Sequence, residues 1–307
     1  MSTILIGVEA SERSEDAIAF GRRLADVVGA HVIVVNAYPY SDLSSRASNA
    51  AYREALRDDA LEIARRMRDQ LERINDDDTQ IRVAADPSPP RALHRMAHAE
   101  QASLVIVGSS HTGRAGRVLP GSTAERLLHG SPCAVAVVPQ DYRKHADQPI
   151  RRVGVAYNNT DEARAAVTAA ASLARALGAE LEIIGIVSTE YFTSSGLMGA
   201  AGIASLRSDI ERHVQESLDE VAAGVPADIV THTRCATGGP EELLTVQTET
   251  LEVLVMGSRG YGPLQAVLTG GISGRLVRTS HCPVIVVPRG VEAPFETLFG
   301  PATAATA

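Results

Sequence analysis

The chain has 307 residues, is 45% hydrophobic, and carries 29 Lys and Arg against 37 Asp and Glu, a formal net charge of −8. Such a length exceeds one ordinary core and predicts two domains. The acidic balance and scattered arginines argue against a nucleic-acid partner, and no apolar run approaches the roughly 18 to 20 residues that would make the membrane a partner.

The N-terminal stretch MSTILIGVEAS lacks the basic start and cleavage pattern of a signal peptide, which predicts a cytoplasmic protein. In chain order, ILIGV (4–8), HVIVVNA (31–37), IRVAA (81–85), LVIVG (104–108) and CAVAVV (133–138) read as strands. Between the second and third, Leu56, Ala60, Ile63, Ala64, Met67, Leu71 and Ile74 mark one apolar helix face. A glycine- and arginine-rich loop follows the fourth strand and leads into a helix. Lys144 to Pro149 reads as a polar linker.

The series then repeats. Ile4 and Val153, Gly29 and Gly178, Gly108 and Gly257, and Cys133 and Cys282 are each 149 positions apart. LADVVGAHVIVV aligns with LARALGAELEII, and GSPCAVAVVP with TSHCPVIVVP. In the second half, Leu206, Ile210, Val214, Leu218 and Val221 mark the corresponding helix face. A register kept over whole domains indicates duplication. The predicted domains are 1–143 and 150–289, with 290–307 as a loose C-terminal tail. Strands alternating with helices predict an α/β fold with parallel sheets covered on both faces. In such sheets ligands bind beyond the carboxyl ends of the strands, where strand order reverses.

Cys133 and Cys282 fit as small apolar residues in strands, and three distant cysteines offer no disulfide framework. His94 and His98 lie four apart on a predicted helix but lack a third ligand, so no metal site is assigned. No catalytic constellation emerges from spacing.

Each half has an acidic or amide residue and a hydroxyl after its first strand. After the fourth, each has a variant of Gly-x2-Gly-x9-Gly-Ser/Thr. In these features the chain resembles the universal stress protein family in its tandem form, over roughly residues 1 to 289. The resemblance implies two five-stranded parallel sheets of order 3-2-1-4-5, Rossmann-like and similar to the adenine nucleotide alpha hydrolases. It implies ATP or another adenine nucleotide as ligand, which Mg2+ can accompany. It also implies last strands that pair across a two-fold interface, as an intrachain pseudo-dimer or in a homodimer, and a protein partner that the sequence leaves unnamed.

Carried over position by position, the nucleoside would meet Glu9, Ser11 and Ala37 in the first half and Asn158, Thr160 and Ile186 in the second. Phosphates and ribose would meet Gly108, His111, Gly121, Ser122 and Thr123 in the first half. In the second they would meet Gly257, Arg259, Gly260, Gly270, Gly271, Ile272 and Ser273. The first half departs from the pattern with His111 at the second glycine, and the second with Gly271 where Ser or Thr is expected.

Physical chemistry supports part of this assignment. Glycines at a strand-to-helix crossing allow positive φ and close approach of backbone N–H groups, and a helix N-terminus favours an anion. A second reading is that these glycines only turn the chain. His111 either plugs the first pocket or donates to phosphate when charged. The loops lack GxxxxGK[ST] and any lysine, so at most slow ATP hydrolysis is expected, and the chain is not read as an enzyme. The leading expectation is a nucleotide-binding stress-response regulator. A ligand-free interaction scaffold is the alternative, and an adenylate-transfer enzyme a third.

Overall fold

The computed structural model describes residues 2–40, 50–71, 79–109, 123–128, 130–189, 200–258, 276, 279–288 and 295–299. The chain divides into two units, Met1–Pro149 with Gly290–Ala307, and Ile150–Arg289.

In the first unit, β1 (Thr3–Val8), β2 (His31–Tyr38), β3 (Thr79–Ala85), β4 (Leu104–Gly108) and β5 (Ala134–Val138) form a parallel sheet in the order β3-β2-β1-β4-β5. Consecutive residues Ile4, Leu5 and Ile6 are all fully buried, so both faces of the sheet are covered. The helices are α1 (Glu12–Val28), α2 (Ala50–Asp69), α3 (Pro89–Ala99) and the short α4 (Thr123–Leu128).

The second unit repeats this plan. Its strands β6 (Arg152–Tyr157), β7 (Glu180–Ser188), β8 (Thr231–Gly238), β9 (Val253–Gly257) and β10 (Val284–Val287) run parallel in the order β8-β7-β6-β9-β10. Its helices among the described residues include α5 (Asp161–Leu177), α6 (Ala200–Ala223) and α7 (Pro240–Gln247). The expected order 3-2-1-4-5 is therefore borne out in both halves.

The two first helices stop by the same device. Gly29 follows α1 with φ 63° and ψ 32°, and Gly178 follows α5 with φ 64° and ψ 31°. In this left-handed region a Cβ is penalised, and the cap lets the amide turn back onto the last helical carbonyls. The predicted apolar face of α2 is present, with Ala60, Ala64 and Met67 buried. The helix ends at Asp69, however, and Leu71 is buried just beyond it. Ile74 lies outside the described residues.

Two segments differ from expectation. The first is the end of the first domain, which runs into the polar linker Lys144 to Pro149 and is held against α1. Tyr142–His145 forms a 3-10 helix, and Asp16, fully buried, accepts from the Asp141 and Arg143 backbone N–H groups at 3.0 Å each. The Arg143 guanidinium also reaches Asp16 at 3.2 Å and Glu12 at 2.8 Å, and Arg23 donates to the Ala146 carbonyl at 2.8 Å. A buried carboxylate needs such donors, and this segment supplies them. The tail expected to be loose also contains structure. Phe295–Phe299 forms a 3-10 helix in which Phe295 and Leu298 are buried, so two large apolar side chains are removed from water.

Candidate functional site

In the first unit β1 lies between β2 and β4, so the chain leaves β1 toward one side of the sheet and leaves β4 toward the other. The loops at the carboxyl ends of β1 and β4 flank the reversal point. β6 and β9 stand in the same relation in the second unit.

After β1, Glu9 and Ala10 are exposed, and Ser11 stands at the N-cap position of α1 without a capping hydrogen bond from its side chain. The Ser11 hydroxyl donates to Glu9 Oε1 at 2.9 Å, the Ser11 N–H to the Glu9 carbonyl at 2.8 Å, and the Glu9 N–H to the buried Ser14 Oγ at 2.7 Å. Arg13 lies 3.9 Å from the Glu9 carboxylate, which is 65% exposed, so that pair is weak. After β6 the Thr160 hydroxyl donates to Asn158 Oδ1, also at 2.9 Å, and accepts from the Ala163 N–H at 3.3 Å as the cap of α5. The two copies thus build the same hydroxyl-to-oxygen pair across a two-residue separation. One offers a carboxylate and the other an amide.

Ala37 and Ile186 occupy the same place on β2 and β7, half-buried near the carboxyl ends. Their register partners are Ala84 and Ala236. Thr123 opens α4 and is half-buried. His111, Gly121, Ser122, Arg259, Gly260, Gly270, Gly271, Ile272 and Ser273 lie outside the described residues.

Gly108 and Gly257 end β4 and β9, and the surrounding packing gives each a reason to be glycine. A Cβ at Gly108 would stand 2.4 Å from the Arg13 carbonyl oxygen, and one at Gly257 would stand 2.7 Å from that of Glu162. Arg13 and Glu162 hold equivalent places in the first turns of α1 and α5. Close helix-to-strand packing therefore accounts for the first glycine of each motif without a ligand.

Several residues near these loops carry no motif in the sequence. Asn36, 5% exposed on β2, donates from Nδ2 to the Val8 carbonyl at 2.8 Å and so secures the end of β1. Its signal is an amide inside the apolar run VIVVNAY; the repeat has Gly185 there. Asn159 has φ 57° and its Oδ1 accepts from the Tyr157 hydroxyl at 3.0 Å and from Arg164 at 2.5 Å. At the end of β3, Asp86 accepts from the Ser88 N–H at 2.9 Å and from Arg91 at 2.7 to 3.0 Å, with Arg95 at 3.2 Å. Hydrogen bonds from Arg91 hold its carboxyl below the usual carboxylate range, although burial pushes the other way.

No group of three or more His, Cys, Asp or Glu among the described residues could hold a metal ion. His94 Nε2 instead lies 2.9 Å from the Gly130 carbonyl. Cys133 is fully buried, and desolvation pushes its thiol up to about 12, which makes it unreactive. Among the described residues no helix is long and apolar enough to cross a membrane.

The model of the universal stress protein family matches residues 1–139 and again 149–288. The chain belongs to the universal stress protein family. It carries that family's domain twice in tandem, as its motifs led one to expect. Among relatives, a universal stress protein of Mycobacterium tuberculosis is 31% identical over 191 residues, a match that spans 61% of this chain and 65% of that protein. One of Mycolicibacterium smegmatis is 26% identical over 297 residues, or 92% and 96% of the two chains. Among solved structures, a universal stress protein from Archaeoglobus fulgidus superposes with a TM-score of 0.66 at 23% identity, covering 94% of this chain and 96% of that one. A Pseudomonas aeruginosa structure described as a putative universal stress protein gives 0.58 at 18% identity, covering 94% and 93%. At these identities the structural likeness speaks for the fold.

Proposed function

We propose that this universal stress protein binds an adenine nucleotide, ATP or a close relative, at the carboxyl ends of its strands and acts through occupancy rather than turnover. The observation that carries the reading is the repeated pair at the reversal point, Ser11 to Glu9 and Thr160 to Asn158, each 2.9 Å. In each pair the hydroxyl is already turned toward a neighbouring oxygen. The free lone pairs of Glu9 and Asn158, both exposed, are left to accept from a hydroxylated ligand. Family membership and the glycine-rich segments after β4 and β9 support a phosphate-bearing one.

A regulator of this kind works by population shift. Nucleotide matters only to the extent that it binds two states of the protein with different affinity. Neither loop offers the lysine of a phosphate-binding hydrolase, so rapid hydrolysis is not expected.

The first test is to denature the purified full-length protein and analyse the released small molecules by chromatography and absorbance. A stoichiometric adenine nucleotide, together with calorimetric binding of added ATP to nucleotide-free protein, is the expected result. Release of nothing and no heat with ATP would leave the interaction scaffold as the better reading, and multiple-turnover ATP consumption would favour an enzyme.

A further inference from the structure

The loops after β1 and β6 make the same hydroxyl pair but differ in how their middle residue is held. Asn159 sits in the left-handed region with φ 57°, whereas Ala10, its counterpart, is not among the described non-glycine residues with positive φ. An alanine there would bring its Cβ against the following carbonyl; asparagine tolerates the conformation better than other non-glycine residues. Tolerance alone does not select it. The selection comes from the side chain, whose Oδ1 accepts from the Tyr157 hydroxyl at 3.0 Å and from Arg164 Nη2 at 2.5 Å. Tyr157 is 5% exposed at the last position of β6, so its ring is anchored in the core, and Arg164 lies in the first turns of α5. The clamp thus ties the strand end, the loop and the helix start through one amide oxygen. At the equivalent positions the first half has Val8, Ala10 and Glu15, none of which can reproduce it.

We infer that Asn159 is a positioning residue that holds the second-half loop in its ligand-accepting shape, an inference that rests on the nucleotide role proposed above. Asn159 lies between Asn158 and Thr160, the two residues of the hydrogen-bonded pair, so any freedom at Asn159 is transmitted directly to both. A loop already fixed before binding loses less entropy when the ligand arrives. The clamp therefore preorganises the second-half site, while the first half fixes its loop by other bonds, from the Glu9 N–H to Ser14 Oγ and from the Ser11 N–H to the Glu9 carbonyl.

Tyr157→Phe removes one hydroxyl and keeps the buried ring, while Asn159→Gly keeps access to the left-handed region and removes the acceptor. Both are compared with wild type in the full chain by calorimetric titration with ATP, with thermal unfolding and amide hydrogen exchange measured alongside. If the clamp fixes the loop, each variant raises the Kd of the second-half site about fivefold, which corresponds to a competent population falling to about one fifth. Exchange then quickens at residues 158–163 and stays unchanged at residues 9–14. Variants that lower Tm but bind ATP with wild-type affinity would show a purely structural hydroxyl and overturn the inference. Wild-type protein that itself binds no ATP would remove the nucleotide reading and this ligand role together, and the two failures are told apart by which protein fails.

Discussion

At Gly108 and Gly257 the obstacle to a side chain is backbone, and backbone cannot rotate away. An added methyl group meets the Arg13 carbonyl oxygen at 2.4 Å or that of Glu162 at 2.7 Å, both well inside contact distance. Gly108→Ala must therefore push α1 away from the end of β4. It should destabilise the protein by about 1 to 3 kcal/mol, the usual range for overpacking, with Gly257→Ala milder because its contact is longer. Urea unfolding of both variants measures this, and midpoints equal to wild type would mean that the helices shift freely. These glycines were legible in the sequence as places where a side chain is unwelcome. What occupies the space was not, because a glycine vacated for a helix and one vacated for a phosphate look alike in one dimension. Asn159 was opaque for a related reason. The ligand expectation fell on its neighbours Asn158 and Thr160, and its own meaning depends on φ and on Tyr157 and Arg164 converging upon it.

At the level of elements, the connection from β3 to α3 is organised by one carboxylate. The Asp86 side chain is 1% exposed, while Arg91 and Arg95 are each 61% exposed, so solvent screens the cations but not the anion. Asp86→Asn should lower stability at neutral pH by about 1 to 2 kcal/mol through loss of charge-assisted bonds. Its pH signature follows from the lowered carboxyl pKa. The native state binds this proton less readily than the unfolded chain, whose aspartates titrate near about 3.9, so the contribution is complete well above that value, starts to fall near it and is lost as pH falls through the lower native-state value. Urea midpoints at about pH 6 and pH 3.5 should therefore differ less for Asp86→Asn than for wild type. Equal acid sensitivity in both proteins would show that Asp86 does not carry the effect. Other features of the elements were readable in advance. Near-continuous Val, Ile and Leu runs gave the strands to within about two residues, whereas Gly29 and Gly178 were read only as anchors of the repeat and the structure shows that they end α1 and α5. The early stop of α2 was not readable, since Leu71 continues the apolar period and is buried without being helical.

The whole molecule repeats one domain, yet the segments outside the repeat are not shared evenly. Both the stretch around Tyr142–His145 and the residues after Arg289 group with the first unit. Asp16 makes the first attachment possible, and the repeat has Ala165 at that position, so the second unit lacks the buried carboxylate that would hold a comparable turn. The duplication was visible as a register of 149 residues, but the register is silent about sequence that occurs once. For the tail, composition rich in Pro, Ala and Thr suggested looseness and masked the two phenylalanines within it. Phe295 is fully buried, Leu298 is 3% exposed, and the Phe295 and Phe299 rings meet edge to face with centroids 5.3 Å apart. A chain ending at Arg289 would expose the apolar surface that these residues cover. With each large side chain contributing about 1.5 to 3 kcal/mol when fully buried, less the entropy regained by the freed tail, the truncated protein should unfold at a lower urea concentration. The loss should be local to the first unit. Hydrogen exchange followed by mass spectrometry should show faster exchange in β1 to β5 and an unchanged pattern in β6 to β10. Equal exchange in both units, or loss confined to the second, would mean that the tail belongs to neither core or to the other one.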